Sequence, residues 1–394
     1  MHILLIHQAF VTGGDAGGTR HYEFARHLIR HGHRVSVITS DISYLTGIRK
    51  KDAHKKDARK EDTHKEDTHK EDARKEAVER AAGNPTEDSN LRIYYSFTSS
   101  GLHKGFLPRL FSFFSFMISA FFTALSIPDV DVVWGTSPNL FQALTAWLSA
   151  RCKRSRFLLE IRDLWPDFAI ELGVLKNPFL IACSRGLETF LYRHADRIIV
   201  NSPGFIPHIQ KKSGQTPTLI PNAADIAMFT ATEADRKDFR HQHGLEHAFV
   251  VMYCGAHGPA NDLNVVLDAA ELLREDTNIR FVFVGSGKDK VRLVESAKKR
   301  NLDNVIFIPP VSKTDMPRVM AAADAGLAIL KPIPLFKTTY PNKVFDTMAA
   351  GKPVLCQIDG VIREVIEKYD AGLFIEPGNP IALASVVREV AAAP

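Results

Sequence analysis

The chain is predicted to be an α/β protein built of two doubly wound, parallel-sheet (Rossmann-like) domains. Three observations predict it. The chain opens with an apolar strand, a glycine-rich turn, an amphipathic helix and a second strand, which is how a doubly wound sheet begins. After a polar stretch, the same alternation restarts at residues 250–254. The length, 394 residues, allows two domains with separate cores.

Composition narrows the classes. A net charge of +5 suits a mildly basic surface near anionic lipid or substrates, and is too small to argue for nucleic acid as a partner. The four cysteines (Cys152, Cys183, Cys254, Cys356) show no C-x-x-C spacing and read as reduced core thiols of a cytoplasmic protein. Residues 1–7 lack a basic leader and a long apolar run, so they read as a buried strand and not as a signal peptide.

In the first half, residues 2–7 form the first strand. The turn Thr12-Gly13-Gly14-Asp15-Ala16-Gly17-Gly18-Thr19-Arg20 follows. Gly17 and Gly18 let backbone approach a ligand, and the next helix, starting at Arg20, points its amides at the turn. The dinucleotide pattern G-x-G-x-x-G is not met. The helix turns Tyr22, Ala25, Leu28 and Ile29 inward and stops at Gly32; residues 34–39 are the next strand.

Residues 50–88 form a charged, low-complexity insertion. Residues 50–80 repeat every five positions, with eleven Lys or Arg against ten Asp or Glu. A period of five keeps no single helix face, so the block reads as a solvated helix or a disordered insertion, and solvation outweighs metal binding for His54, His64 and His69. Residues 91–97 resume the sheet. Residues 106–125 are the most apolar run, interrupted by Pro108, Arg109 and four hydroxyl residues. They read as a surface helix that packs on the domain and also meets a bilayer, with His103, Lys104 and Arg109 toward headgroups. The flanking strands require that helix to fold back on the sheet, which argues against a membrane span.

Residues 131–135 are a strand, and Thr136-Ser137-Pro138 is expected to cap the next helix. Asp129-Val130-Asp131 leads into that strand, so no metal is predicted. The strand 157–161 ends in Arg162-Asp163-Leu164-Trp165-Pro166-Asp167, where ligands bind in open α/β sheets. On the residues alone, Arg162 and Asp163 read equally as a surface ion pair. Strands 197–201 and 218–220 close the first domain, 1–224. Residues 225–247 are expected to be a polar linker opening the second domain, 225–394.

In the second half, strands at 250–254, 281–284, 305–308 and 326–330 each end in a loop at the sheet's carboxyl edge. These loops contain Gly255, His257, Gly258 and Asn261, then Gly285 and Gly287, then Pro310-Val311. Their glycines suit a diphosphate, and the Pro310-Val311 backbone suits a uracil edge. The last loop leads into Pro341-Asn342-Lys343-Val344-Phe345-Asp346-Thr347-Met348-Ala349-Ala350-Gly351-Lys352-Pro353-Val354. Pro341 suits the first helical position and Gly351 the residue just past the helix. Val344, Phe345 and Met348 share the buried face, while Lys343 and Asp346, three apart, share another at the helix start. On physics alone those two read as a wet i, i+3 ion pair.

That stretch resembles the donor-site helix of the family 4 retaining glycosyltransferases, whose GT-B fold implies two domains facing each other across an interdomain cleft, and more narrowly the bacterial branch that builds surface polysaccharide. The family pattern Pro-x-Lys-x-Phe-[Glu/Asp]-x-Met-Ala-x-Gly-x-Pro-Val is met at every fixed position. The strings Gly-Gly-Thr-Arg-His-Tyr-Glu-Phe-Ala-Arg-His-Leu and Arg162-Asp163-Leu164-Trp165-Pro166 also match, and the resemblance covers nearly the whole chain apart from 50–88 and a short C-terminal stretch. It implies donor contacts from Gly17, Gly18, Arg20, Gly255, His257, Gly258, Asn261, Gly285, Gly287, Val311, Asn342, Lys343 and Asp346, and catalytic or acceptor contacts from Arg162 and Asp163.

The chain departs from the pattern in places. His257 and Asn261 stand near the family's usual Arg and Lys, so phosphate charge is expected to fall on amides and Lys343. Thr338 stands where the first acid of a Glu-x7-Glu pair belongs, leaving Asp346 alone for the ribose. Ala223 replaces a glycine, and the helix from about residue 381 is expected to end without the family's crossover helix.

The resemblance implies a retaining hexosyl- or N-acetylhexosaminyl-transferase. It would take a UDP-sugar, with no metal cofactor, and pass the sugar to a polyprenyl-diphosphate-linked glycan at the inner membrane surface, as a cytoplasmic, peripheral enzyme. A non-catalytic GT-B scaffold in an assembly complex is the alternative, and a nucleotide-dependent oxidoreductase is a third reading from the first loop.

Overall fold

The computed structural model describes residues 1–15, 17–42, 90–99 and 106–393; the charged repeat read at 50–88 lies outside them. The chain forms two sheets, all of whose strands pair in parallel. The first is seven-stranded, in the order β3-β2-β1-β4-β5-β6-β7, from β1 (His2–Ile6), β2 (Arg34–Ser40), β3 (Leu91–Ser96), β4 (Val132–Thr136), β5 (Arg156–Ile161), β6 (Arg197–Val200) and β7 (Thr218–Leu219). The second is six-stranded, in the order β10-β9-β8-β11-β12-β13, from β8 (Phe249–Cys254), β9 (Ile279–Val284), β10 (Val305–Ile308), β11 (Ala325–Ile329), β12 (Val354–Gln357) and β13 (Gly372–Phe374).

Parallel sheets need helices on both faces, so their strands are apolar on both. Alternation along β1 shows it. Leu4 and Ile6 join the core under the helices Phe106–Ser126 and Leu140–Lys153, while Ile3 and Leu5 join Tyr22, Ala25 and Trp134 on the other face. In β8, Val251 and Tyr253 face one core, Val250 and Met252 the other. Strand order reverses between β1 and β4, and again between β8 and β11. Loops diverge there, leaving a crevice at the carboxyl edge of each sheet.

Four local expectations are corrected. Residues 233–243 form a helix, not an open linker, because Thr232 and Asp235 make a capping box, Gly244 adopts φ +64 and Phe239 is buried. The helix Leu140–Lys153 is capped by Asn139, whose side chain accepts from the Phe141 amide. Pro341 stands one residue ahead of the helix Asn342–Ala349, while Gly351 takes φ +66 as expected. Of the cysteines only Cys356 is fully buried; Cys152 and Cys183 are exposed. Ala223 is not among the residues of positive φ, so the loop passes without the family glycine.

The two sheets are joined by more than the connecting chain. Phe336, in the loop before the donor-motif helix, is buried in the first domain's core with its ring 5.3 Å from Phe168. The Ser202 hydroxyl donates to the Thr338 carbonyl. A Cβ on Gly204 would lie 2.5 Å from Thr338 Cα, so only glycine permits that approach. Asn222 Nδ2 donates to the Tyr340 carbonyl at 2.6 Å.

Candidate functional site

A cavity of about 870 Å³ lies between the carboxyl edges of the two sheets. On the second-domain side it is walled by Gly255 and Ala256 after β8, Gly285 and Ser286 after β9, and Pro310 and Val311 after β10. Asn342, Lys343, Asp346 and Thr347 complete that wall from one helix. Gly255 and Gly285 supply room, not donors. Their amides donate to the carbonyls of Val284 and Ile308, and a Cβ on Gly285 would stand 2.0 Å from the Gly255 oxygen.

Lys343 and Asp346 are not an ion pair. The ammonium of Lys343 reaches the Tyr253 hydroxyl at 2.9 Å and Asn261 Oδ1 at 3.2 Å, and sits 4.1 Å above the Tyr253 ring. The Tyr253 hydroxyl donates onward to the Ala256 carbonyl at 2.7 Å. Every partner is neutral, and no carboxylate among the described residues pairs with Lys343. Desolvation without a counter-ion pulls its pKa down to about 7. Asp346 instead accepts from Lys313 at 2.7 Å; burial raises its pKa and Lys313 opposes the rise. Lys290 donates to the carbonyls of Gly285 and Ile308, at 2.6 and 2.9 Å, bracing the loop after β9.

The first domain contributes Gly17, Gly18 and Arg20, then Glu23, Phe24, His27 and Arg30 along the same helix. Arg20 is fixed before any ligand arrives. Its Nε donates to Glu160 at 2.8 Å, and its two terminal nitrogens donate to the carbonyls of Pro221 and Ile220. Glu160, fully buried near the end of β5, also holds His21 at 2.5 Å. Burial opposes the Glu160 charge, but His21, Arg20 and Arg162 outweigh it and hold the carboxyl well below the ordinary range. Burial lowers the His21 pKa, against the pull of Glu160.

Arg162 and Asp163 stand at the carboxyl end of β5 but do not wall the cavity. Arg162 Nε donates to the Ser137 carbonyl at 3.1 Å, and the Ser137 hydroxyl accepts the Arg162 amide at 2.8 Å. Burial raises Asp163 to about 6, with Arg162 opposing.

The structure therefore brings Gly17, Gly18, Arg20, Gly255, Gly285, Val311, Asn342, Lys343 and Asp346 to one cavity. His257, Gly258, Asn261 and Gly287 lie behind that wall. His257 is wholly buried beside Tyr253, Phe283 and Phe307, and burial, Lys290 and Lys343 push its pKa down to about 4, so its ring braces the loop and offers no cation to phosphate. A Cβ on Gly287 would stand 2.5 Å from the His257 carbonyl oxygen, so glycine lets the two loops approach there. Asn261 acts through Lys343. Sequence reasoning passed over Glu160, His21, Tyr253 and Lys313. Glu160 carried a signal, an acid inside the apolar string Phe157-Leu158-Leu159-Glu160-Ile161, because an unpaired buried carboxylate is too costly to keep.

Two family descriptions match the chain: "Glycosyl transferase 4-like domain" over residues 16–223 and "Glycosyl transferases group 1" over residues 235–394. Among curated proteins, the chain is 26% identical to an Escherichia coli K12 protein provisionally named as a colanic acid biosynthesis glycosyl transferase, WcaI, over 72% of each chain. It is 25% identical to a Pseudomonas aeruginosa protein provisionally named as the glycosyltransferase WbjE, over 71% of this chain and 70% of that one. Among solved structures, Anabaena Alr3699/HepE in complex with UDP and glucose superposes with a TM-score of 0.68 at 17% identity, covering 100% of this chain and 90% of that one. Sucrose-phosphate synthase from Thermosynechococcus elongatus gives 0.71 at 15% identity, with the same coverage. These likenesses establish the fold as GT-B.

Proposed function

Because this chain belongs to the glycosyl transferase 4-like and group 1 families, we propose that it moves a sugar from UDP to a lipid-linked glycan with retention of configuration, in the building of a surface polysaccharide. The observation that carries the donor half is Lys343, a cation on the cavity wall with only neutral partners. A diphosphate there would supply the missing counter-charge. On this reading the backbone of Pro310 and Val311, on the cavity wall, meets the uracil edge, and Asp346 holds ribose hydroxyls with its carboxylate oriented by Lys313. A solved neighbour in complex with UDP and glucose, one relative named for colanic acid biosynthesis glycosyl transfer and another named as a glycosyltransferase support this reading.

The mechanism we favour is front-side displacement. The acceptor oxygen bonds to the anomeric carbon on the face that the diphosphate leaves. The carbon–oxygen bond to the diphosphate breaks, and the leaving oxygen takes the acceptor proton, giving UDP and the extended glycan. Lys343 stabilises charge developing on that oxygen, and the cavity supplies positioning. No metal enters this reading. Arg162 and Asp163, at the carboxyl edge of the first sheet, are assigned to the acceptor side, and the enzyme is placed at the inner membrane face.

The test is transfer from a set of UDP-sugars to polyprenyl-diphosphate-linked acceptors, with unfolding temperature followed in parallel. At least one UDP-sugar should raise that temperature and be consumed. Stabilisation without transfer to any acceptor would favour a scaffold. No stabilisation by UDP or any UDP-sugar would remove the donor assignment.

A further inference from the structure

A second concavity, of about 150 Å³, opens on the second domain, where the helices Glu233–His243 and Met316–Ala321 meet the end of the donor-motif helix. It shares no lining residue with the cavity between the sheets. Ala350 and Lys352 wall it just past the helix Asn342–Ala349, whose first turn carries Lys343 to the donor cavity. The 8 residues of that helix set the two places roughly 12 Å apart.

The charges at this concavity do not cancel. Arg236, on its wall, donates to Asp324 at 3.0 Å, and Arg240 donates to the other oxygen of the same carboxylate. Asp324 also accepts the Val250 amide at 2.8 Å. Glu233 lies 3.6 Å from Arg236 and is largely exposed. Lys352, partly buried on the wall, has no hydrogen-bond or ion-pair partner among the described residues. Burial and the Arg236 guanidinium lower its pKa, with Arg240 adding to the effect and Asp324 and Glu233 opposing it. Three cations thus stand against two carboxylates, and the one left over is Lys352. The carboxyl end of a helix favours a nearby cation, which accounts for Lys352 alone. It does not account for two guanidinia brought to the same place from another helix. Like charges gathered where water is partly excluded cost free energy that a bound anion would offset.

We infer that this concavity binds a phosphate group, at a site separate from the donor cavity. At roughly 30 Å³ per water, its volume equals that of about five waters. That suits a tetrahedral oxyanion of five heavy atoms and is too small for a nucleotide. Lys352 and Arg236 would donate charge-assisted hydrogen bonds to its oxygens. Thr232 and Glu233, also on the wall, begin the helix Glu233–His243 and bring the positive end of its dipole. Inorganic phosphate and the ester group of a sugar phosphate present the same oxygens. Occupancy would reach the donor cavity along two routes. One is Ala350, at the end of the helix bearing Lys343. The other is Phe229, whose ring centroid lies 5.5 Å from the Lys313 ammonium that holds Asp346. The inference does not rest on the transfer reaction proposed above.

The test is calorimetric titration of inorganic phosphate, and separately of glucose 6-phosphate, into the full chain, with ionic strength held constant by chloride. Wild type is compared with Lys352→Met, Lys352→Arg and Lys343→Ala. Lys352→Met keeps the aliphatic stem and removes an unpaired charge, so it should unfold at the wild-type temperature. Wild type should bind at least one probe with a Kd below about 1 mM and unfold at a higher temperature in its presence. Lys352→Met should bind about tenfold more weakly, the loss of one charge-assisted hydrogen bond. Lys352→Arg should recover most of that affinity, and Lys343→Ala should bind as wild type does. Whichever probe binds more tightly names the source of the phosphate. No binding of either probe by wild type, or equal binding by Lys352→Met, would overturn the inference. So would loss of phosphate binding in Lys343→Ala with retention in Lys352→Met, because the anion would then sit in the donor cavity. Titration of UDP reports separately on the enzymatic reading. UDP bound without phosphate sinks this inference and leaves the donor assignment standing; phosphate bound without UDP does the reverse.

Discussion

The two sheets end in the same way and are used differently. Each reverses strand order at its centre and opens a crevice at its carboxyl edge. At the first sheet the crevice is filled by the protein's own charges: Glu160 holds Arg20 and His21, and Arg20 in turn holds the carbonyls of residues 220 and 221. At the second sheet Lys313 pairs with Asp346, but two cations have only neutral partners, Lys343 on a phenol and an amide and Lys290 on two carbonyls. A satisfied ion network lends rigidity and orientation; an unsatisfied cation lends affinity for an anion. The same topology thus makes one edge a support and the other a receptor.

The comparison breaks first at Glu160. Glu160→Gln leaves Arg20 and His21 buried beside an uncharged partner, and should lower unfolding stability by about 3 kcal/mol in denaturant melts. The folded-state pKa of Glu160 is depressed, so its contribution is complete above about pH 4.5 and declines as pH falls below that; the variant should lack this acid-dependent loss. Equal stability of variant and wild type would mean that the first edge is not held by this network.

Gly285→Ala probes the receptor edge by geometry. The new Cβ meets the Gly255 oxygen, so the two loops must separate. We expect about 2 kcal/mol of lost stability and weaker UDP binding, both readable in thermal shifts with and without UDP. A variant indistinguishable from wild type would show that these loops are not held in that approach.

A smaller effect, opposite in sign to that at Glu160, belongs to Lys343. The unfolded chain keeps this proton up to about pH 10.5 and the folded chain releases it near 7. Between those values the unfolded chain binds more protons, so stability rises with pH; below 7 the cost of the buried cation is constant. Lys343→Met should therefore stabilise the free protein near pH 7, on the order of 1 kcal/mol after allowance for its partial exposure. Loss of stability on that substitution would place Lys343 among the supports.

Much of the receptor edge was legible because its parts are local. Gly255 and Gly285 each follow an apolar strand directly, and Lys343 and Asp346 lie within one helical turn between Pro341 and Gly351. What remained hidden depends on distance along the chain. Arg20 and Glu160 are 140 residues apart, and Lys313 and Asp346 are 33 apart, so no window of sequence shows either pair. The expected Lys343–Asp346 pair failed for a related reason: Lys343 found Tyr253 on strand β8, and Asp346 found Lys313 in the loop after β10. His257 was misplaced because its loop was legible but the direction of its ring was not. The helix at 233–243 was legible in Thr232, Asp235 and Gly244, and was obscured by its polar surface.

The most direct measurement is a calorimetric titration of UDP into wild type and Lys343→Ala at pH 7 and pH 9. The account predicts that wild-type affinity falls by tenfold or more between the two pH values, because the free lysine must regain a proton to meet the diphosphate. It predicts that Lys343→Ala binds about 30-fold more weakly at pH 7 and loses that pH dependence. Equal affinities for the two proteins, with the same dependence on pH, would contradict it.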